Sequence, residues 1–513
     1  MGNFSYWETS VEKTLYKKLT GILLLVCINS LMAGCSSIID ANKQKKPYMD
    51  VYYSGNVTRA AKDLTEKSED RSDTGDALMW NLEAGTANYS ASEYQTSLRK
   101  FEEAETLLKD FDQRAVINAR AAGSEVGSAL TNPNALPYQG MYLDRVMLNA
   151  YKALNYFSLN ELVGAQVELR RMRAAQKQVV RKFADEIHTS QKEIDAKNRK
   201  NQQQSRSLGN QNTTIPFGAI VKIPEVNKAY TTSANKANKL YGSLANPFVS
   251  YFSAIGYLME NNYSEALVDF RNLYKMNPDN RLIQRDYVTA AKRIGSRVPT
   301  QLAGVAPYQY PLNKKIVFVV LFNGRAPALK QEKFQIVLPY VGYTGIAFPR
   351  YEYFPTLLPG LDVEYRYNNQ QQSVRTEVVS DFDAIMSQEY HDKLPSMITR
   401  LVVSTLTKEL ESYAIVHAAR QSGNSGAEIG AYALTGIYKF MFNTADTRGW
   451  ETLPKEVQIA HVPLPKDGVL KISPIGASGG GKELAIEKDT NIAIVYIRAL
   501  SANKLIYKLV ELQ

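Results

Sequence analysis

Few side chains in this 513-residue chain stand at spacings that support chemistry. Gly476-Ala477-Ser478-Gly479-Gly480-Gly481-Lys482 nearly spells the loop whose backbone N–H groups cradle nucleotide phosphates. Glu483 stands where a Ser or Thr would hold magnesium, and both flanks read as strands, so a glycine-rich β-turn is expected there. The four histidines, His188, His391, His417 and His461, have no partner at metal-ligand spacing. His391-Asp392 beside Glu389 mixes imidazole with carboxylates, on a charged helix start expected to be solvated. His-Glu-x-x-His does not occur, and Gly476-x-Ser478-x-Gly480 spells Gly-x-Ser-x-Gly only inside that same glycine-rich turn, where no helix follows to form a nucleophile elbow, so no catalytic residue, metal or cofactor is assigned and the chain is not expected to be an enzyme. The alternative rests on an aromatic concentration, Tyr340, Tyr343, Phe348, Tyr351, Tyr353 and Phe354, followed by Tyr365 and Tyr367. Such faces suit sugar rings, and carboxylates for glycoside cleavage need not be near each other in the chain, so a glycan-binding protein or hydrolase is the second reading. Packing within a sheet is the plainer use of the same residues.

The sharpest local signal lies near the start. A basic cluster, Lys13, Lys17 and Lys18, precedes an apolar run from Ile22 to Ile28 and then Leu31-Met32-Ala33-Gly34-Cys35. That is the layout of a secretory signal, and its end resembles the lipobox of bacterial lipoproteins, in which the cysteine becomes N-terminal and diacylated. Met32 stands where that pattern usually has Leu. The apolar core from Gly21 to Met32 is shorter than the roughly 20 residues a membrane span needs, whereas two acyl chains suffice for stable anchoring. Ser36 follows the cysteine in place of the Asp that commonly retains such proteins in the inner membrane, which points to a periplasm-facing anchor on the bacterial outer membrane. The only other cysteine, Cys27, lies inside the apolar core, so the mature chain has no disulfide or thiolate chemistry. Cleavage after residue 34 leaves 58 basic and 49 acidic residues, a mild excess suited to a membrane surface or cell-wall polymer and not to nucleic acid.

The elements that such an anchor would hold fall into two textures. After a polar stretch, read as a tether followed by a helical patch over Tyr52–Thr65, a 34-residue repeat frame recurs three times. Its firmest copy counts Pro247 as position 1, with Ala254 at 8, Tyr257 at 11, Ala266 at 20, Phe270 at 24, Leu273 at 27 and Pro278 at 32. Small residues at 8 and 20 let two antiparallel helices approach, and the proline stops the second. Leu78 and Val146 open weaker copies. The inner-face positions 2, 5, 9 and 12 form an apolar stripe: Met79, Leu82, Thr86 and Tyr89; Met147, Ala150, Leu154 and Phe157; Phe248, Tyr251, Ile255 and Leu258. A partner or another part of the chain must cover it. Between the second and third copies, Arg170–Lys200 reads as a helical extension and Asn201–Thr214 as disordered, giving a polar insertion near 188–240 that either protrudes or is merely solvated.

After Pro299 the apolar period changes from 3.6 to that of strands. Strands are expected over Lys315–Asn323, Phe334–Leu338, Thr344–Pro349, Asp362–Tyr367 and Val374–Val379. Helices follow over Met386–Ala419 and Ala427–Phe442, and then an antiparallel set over Val457–Val462, Gly468–Ile472, Asn491–Arg498 and Leu505–Leu512. The fold class is therefore α then α+β: tetratricopeptide-like hairpins followed by a mixed antiparallel-sheet and helix domain. The boundaries are 1–34 signal peptide, 35–76 tether and first helical patch, 77–299 helical domain, and 300–513 α+β domain.

The order of hairpins, Val317-Phe318-Val319-Val320-Leu321-Phe322-Asn323-Gly324-Arg325-Ala326-Pro327, a Leu394-Pro395 helix start and Ala445-Asp446-Thr447-Arg448-Gly449-Trp450-Glu451-Thr452-Leu453-Pro454 resembles a family of uncharacterised proteobacterial tetratricopeptide lipoproteins. Its most specific piece is Asp446-x-Arg448-x-Trp450-x-x-Leu453-Pro454, with Gly449 where Ser is expected. The resemblance implies a cell-envelope lipoprotein near regulators of peptidoglycan synthesis, and the hairpins with their apolar stripe add the expectation of a scaffold or regulator that holds an envelope protein. It implies no catalytic residue. On residues alone, Asp446 and Arg448 suit a local ion pair and Trp450 a plug between helix and sheet, although an exposed Trp with flanking charges would equally serve as a binding hot spot.

Overall fold

A computed structural model describes residues 40–121, 136–207, 215–237, 241, 245–338, 342–421 and 444–513. Helices come first. Helices α1 (Ala41–Tyr53) and α2 (Val57–Asp70) are parted at Gly55, which has φ +90°, after which the Asn56 side chain accepts from the Arg59 N–H. The patch expected over Tyr52–Thr65 is thus two helices, and the expected tether is already helical from Ala41. The α1 pattern was thin because Lys45 shares the buried face with Ala41, Met49 and Tyr52.

Three helical hairpins follow: α3 (Ala77–Ser90) with α4 (Tyr94–Ala121), α5 (Tyr142–Ser158) with α6 (Leu162–Ser207), and, after α7 (Phe217–Ile220) and α8 (Pro224–Lys236), α9 (Pro247–Met259) with α10 (Tyr263–Met276). Each closes through a residue in the left-handed region, Ser92 at φ 67°, Asn160 at 59° and Asn261 at 55°. Helix α11 (Arg281–Arg293) completes the helical part. Close approaches hold the hairpins together. A Cβ on Gly85 would lie 2.7 Å from the Phe101 ring, and one on Gly256 would lie 2.6 Å from Leu169 of the preceding hairpin.

The second part is a mixed sheet-and-helix unit. Strands β1 (Ile316–Asn323), β6 (Glu377–Asp381), β7 (Glu456–Pro463), β10 (Ile492–Ser501) and β11 (Lys504–Leu512) form a five-stranded sheet in the order β11-β10-β1-β7-β6. Strands β2 (Ala328–Leu338) and β3 (Gly342–Glu352) form a separate hairpin, while β4 (Leu361–Tyr367), β5 (Gln370–Arg375), β8 (Val469–Pro474) and β9 (Lys482–Ala485) form a four-stranded sheet. The closing strands are not all antiparallel, because β10 runs parallel to β1 from Ile316↔Ile492 to Asn323↔Ala499. Strand β1 is buried along its whole length since it has a core on each face. Ile316, Phe318, Val320 and Phe322 join the helical core, and Val317, Val319 and Leu321 pack with Leu361, Val363, Leu470 and Ile472 of the second sheet. The molecule is layered as helices, five-stranded sheet and four-stranded sheet.

Helix α12 (Phe382–Gln421) begins before Leu394-Pro395 and carries Pro395 inside it, so that pair does not open the helix. The helix expected over Ala427–Phe442 lies outside the described residues. The insertion neither stands free nor is merely solvated: α6 runs beside α12 in the same direction, with Arg400 donating to Ser190 at 2.8 Å and Thr407 donating to Asn201 at 2.8 Å. Asn201 to Ser207, expected to be disordered, continue α6, and Asn201 is buried because its amide also reaches the Val403 carbonyl.

Candidate functional site

A dense buried polar cluster gathers around residues 446–452, a segment without helix or strand that enters β7. Here the sequence folds against distant elements because its own side chains cannot satisfy it locally. Asp446 accepts from the Arg448 guanidinium at 2.8 and 2.7 Å, and Arg448 reaches on to Asp76 at the start of α3 and to the Leu136 carbonyl at 2.8 Å. Burial works against the Arg448 cation, but Asp446 and Asp76 outweigh it and raise its pKa. Trp450 is 1% exposed, and its indole N–H is shared between Thr86 of α3 and Thr452, each at 2.9 Å. Leu453 and Pro454 are buried beside it.

Helix α1 meets this segment with its one buried cation. Lys45 donates to the Gly449 carbonyl at 2.7 Å and lies 2.6 Å from Glu451 and 3.8 Å from Glu83. Glu83, in the middle of fully buried α3, accepts the backbone N–H groups of Glu451 and Thr452 at 2.7 and 3.0 Å and the Thr452 hydroxyl at 2.8 Å. Arg325, just after β1, pairs with the other oxygen of Glu451. Burial opposes the charged form of Glu451, yet Lys45 and Arg325 hold its pKa below the ordinary carboxylate range. Burial raises that of Glu83 against the pull of Lys45. Tyr53 at the end of α1 donates to the Glu451 carbonyl at 2.6 Å, and Arg498 of β10 closes the circuit on the carbonyls of Phe322, Gly324 and Thr452. At the other end of α1, Thr447 donates to Asp40 at 2.6 Å and Asn42 to the Leu329 carbonyl of β2 at 3.1 Å. Both ends and the centre of α1 are therefore fastened to the helical hairpins and to the sheet through one segment.

The apolar stripe is covered by this chain. Met79, Leu82, Tyr89, Met147, Leu154, Phe157, Phe248, Tyr251, Ile255 and Leu258 are all buried in the core shared with the five-stranded sheet. Tyr89 meets Tyr496 at 5.1 Å and Phe248 meets Phe322 at 5.3 Å, ring to ring. The helix faces offered to a partner on the sequence are thus closed by β1 and β10, because those strands bring their own aromatic residues to the same face. The aromatic concentration is used similarly: Tyr351 is buried with its hydroxyl on Met141 and its ring against Tyr390, and the Tyr353 hydroxyl is 2.8 Å from that of Ser387. Cys35 and Tyr340 lie outside the described residues.

A second polar cluster was invisible in the sequence. His461 of β7 has Nε2 2.7 Å from Asp286 of α11 and Nδ1 3.2 Å from the Tyr310 hydroxyl, and Tyr251 of α9 donates to the other Asp286 oxygen at 2.6 Å. The His461 and Asp286 side chains are enclosed, so the cluster joins helix to sheet and has no route for a substrate. Nothing in the spacing brings residues 175 positions apart together. The charged start around His391 is also not solvated: Glu389 is buried against Lys393 at 3.1 Å, and His391 lies on Tyr230 with Nδ1 3.2 Å from Ser233. Among the described residues no group of three His, Cys, Asp or Glu side chains could hold a metal ion, and no helix is long and apolar enough to cross a membrane. No family model matches the chain, and neither a curated protein nor a solved structure matches it significantly.

Proposed function

We propose that this chain is a lipid-anchored scaffold or regulator of the bacterial cell envelope, periplasm-facing on the outer membrane, that holds a protein partner on tetratricopeptide-like hairpins. The observation carrying this reading is the fastening of α1. Asp40 stands five residues after Cys35, and α1 is tied to both layers of the body through Lys45, Tyr53 and the Trp450 segment. A lipid on Cys35 would then hold the folded body at a fixed, short reach from the bilayer, which suits a scaffold better than a freely swinging domain would.

The repeat reading has its own support. In the frames opened by Leu78, Val146 and Pro247, the left-handed residue is the fifteenth in each, and the second helix starts at the seventeenth, Tyr94, Leu162 and Tyr263. With the inner faces covered, the partner surface passes to the outer side of the hairpins, where Val163 is 77% exposed and Val167 follows one turn later. The buried setting of Tyr351 and the half-buried one of Tyr353, whose hydroxyl is taken by Ser387, give the glycan reading no particular support. On the resemblance to tetratricopeptide lipoproteins, the partner proposed is a protein near peptidoglycan synthesis. Palmitate labelling, followed by crosslinking from intact envelopes, tests the proposal. Label should enter the wild type and not Cys35→Ala, and crosslinking should recover a protein lost from Val163→Asp/Val167→Asp. Unlabelled wild type, or measurable muropeptide binding with no protein recovered, counts against it.

A further inference from the structure

Residues 170–241 hold fifteen of the 61 basic and five of the 51 acidic residues, so they account for the whole formal excess of ten charges while the rest of the chain, with 46 of each, is neutral. On α6 these charges are aligned. Lys177, Arg181, His188, Lys192, Arg199 and Arg206 follow at spacings of 4, 7, 4, 7 and 7 residues, and all six are exposed. At about 100° per residue they fall within about 60° of arc, on a line about 44 Å long. The opposite side, with Met172, Val179, Phe183, Ser190, Ile194 and Asn201, is buried. One carboxylate, Asp195, shares the arc and accepts from Gln191. Off the arc, two cations of the same helix are paired: Lys182 with Asp112 at 2.8 Å and Arg173 with Asp269 at 3.3 Å. Among the described ion pairs, none involves Lys177, Arg181, Lys192, Arg199 or Arg206.

We infer that this stripe lies against the anionic headgroups of a lipid bilayer. The arc carries no apolar or aromatic side chain besides the imidazole, whereas the centres of protein interfaces are rich in aromatics and poor in lysine. A straight, charge-only face suits a diffuse ionic surface, to which each nearby cation contributes roughly 1 kcal/mol, about a fivefold gain in affinity. The choice of lipid over a soluble polyanion rests on the anchor reading, in which the five residues from Cys35 to Asp40 span at most roughly 18 Å and hold the folded body close to a membrane.

The test is the rate at which an amine-reactive reagent acylates Lys177 and Lys192 of the full chain, followed site by site. On phosphatidylcholine vesicles the rates should equal those in detergent. On vesicles of equal parts phosphatidylcholine and phosphatidylglycerol they should fall at least about tenfold at low salt and recover at high salt, as screening requires. Arg181→Glu/Arg199→Glu/Arg206→Glu, all at exposed positions, should remove the protection, and the corresponding Gln variant should remove most of it, the three cations together contributing on the order of 100-fold. Unchanged rates on anionic vesicles, protection that survives charge reversal, or protection by a soluble anionic glycan alone would overturn the proposal. A chain that fails to float with neutral vesicles counts against the anchor, while the stripe is still judged by protection on anionic ones.

Discussion

Asp144 shows how far a single buried carboxylate can depart from its ordinary behaviour. It accepts from the Tyr138 hydroxyl at 2.5 Å and the Met141 N–H at 2.9 Å, yet its other oxygen has no partner among the described residues. Burial pushes its pKa up to about 7. Below the unfolded value of about 3.9 both states hold the proton; as pH rises further the unfolded chain ionises first, so stability falls until the native group ionises too. Urea midpoints should therefore drop between about pH 4 and 7, and Asp144→Asn should flatten that part of the profile while keeping an acceptor for Tyr138. A profile unchanged by the substitution would mean that other carboxylates carry it. Little of this was legible beforehand. The Asp446-x-Arg448-x-Trp450 spacing does suggest a local ion pair and a plug, but Glu83 and Lys45 sit within ordinary helical patterns, and their meeting across about 40 and about 400 residues has no local signature.

Elements were more legible than contacts. The 3.6-residue period exposes the hairpins, and the unbroken apolar run of β1 reflects its two buried faces. Helix α6 reads as an extension because Val179, Phe183 and Ile187 recur at four-residue spacing, but its docking partner α12 lies about 200 residues away, so nothing local shows that the insertion is docked. The hairpins also make a steric prediction. Gly85→Ala places a methyl 2.7 Å from the Phe101 ring, and overpacking of this kind costs about 1–3 kcal/mol. Chemical denaturation should show a lower midpoint at unchanged slope. A neutral Gly85→Ala would indicate that α3 and α4 stand further apart than described.

At the scale of the whole molecule, the two-part order of helices and then sheets could be read from the change of period. The layering could not, because it depends on β10 lying parallel beside β1 across about 176 residues, and a strand's pattern does not name its neighbour. That pairing is what carries aromatic residues over the hairpins' inner faces and turns an expected groove into core. The same layering leaves α1 held between hairpins and sheet by the junction at Lys45, Glu83, Glu451 and Arg325. Breaking a buried pair by removing one charge typically costs about 3–5 kcal/mol, and here the loss should concentrate on α1.

Amide hydrogen exchange across residues 41–53 tests this most directly. In the wild type the α1 amides should be protected to a degree approaching that of β1 and β10, and Glu451→Gln should release α1 while the sheet stays protected. Rapid exchange of α1 in the wild-type chain, or an equal loss of protection throughout the variant, would contradict the view that the junction fastens α1 to the body.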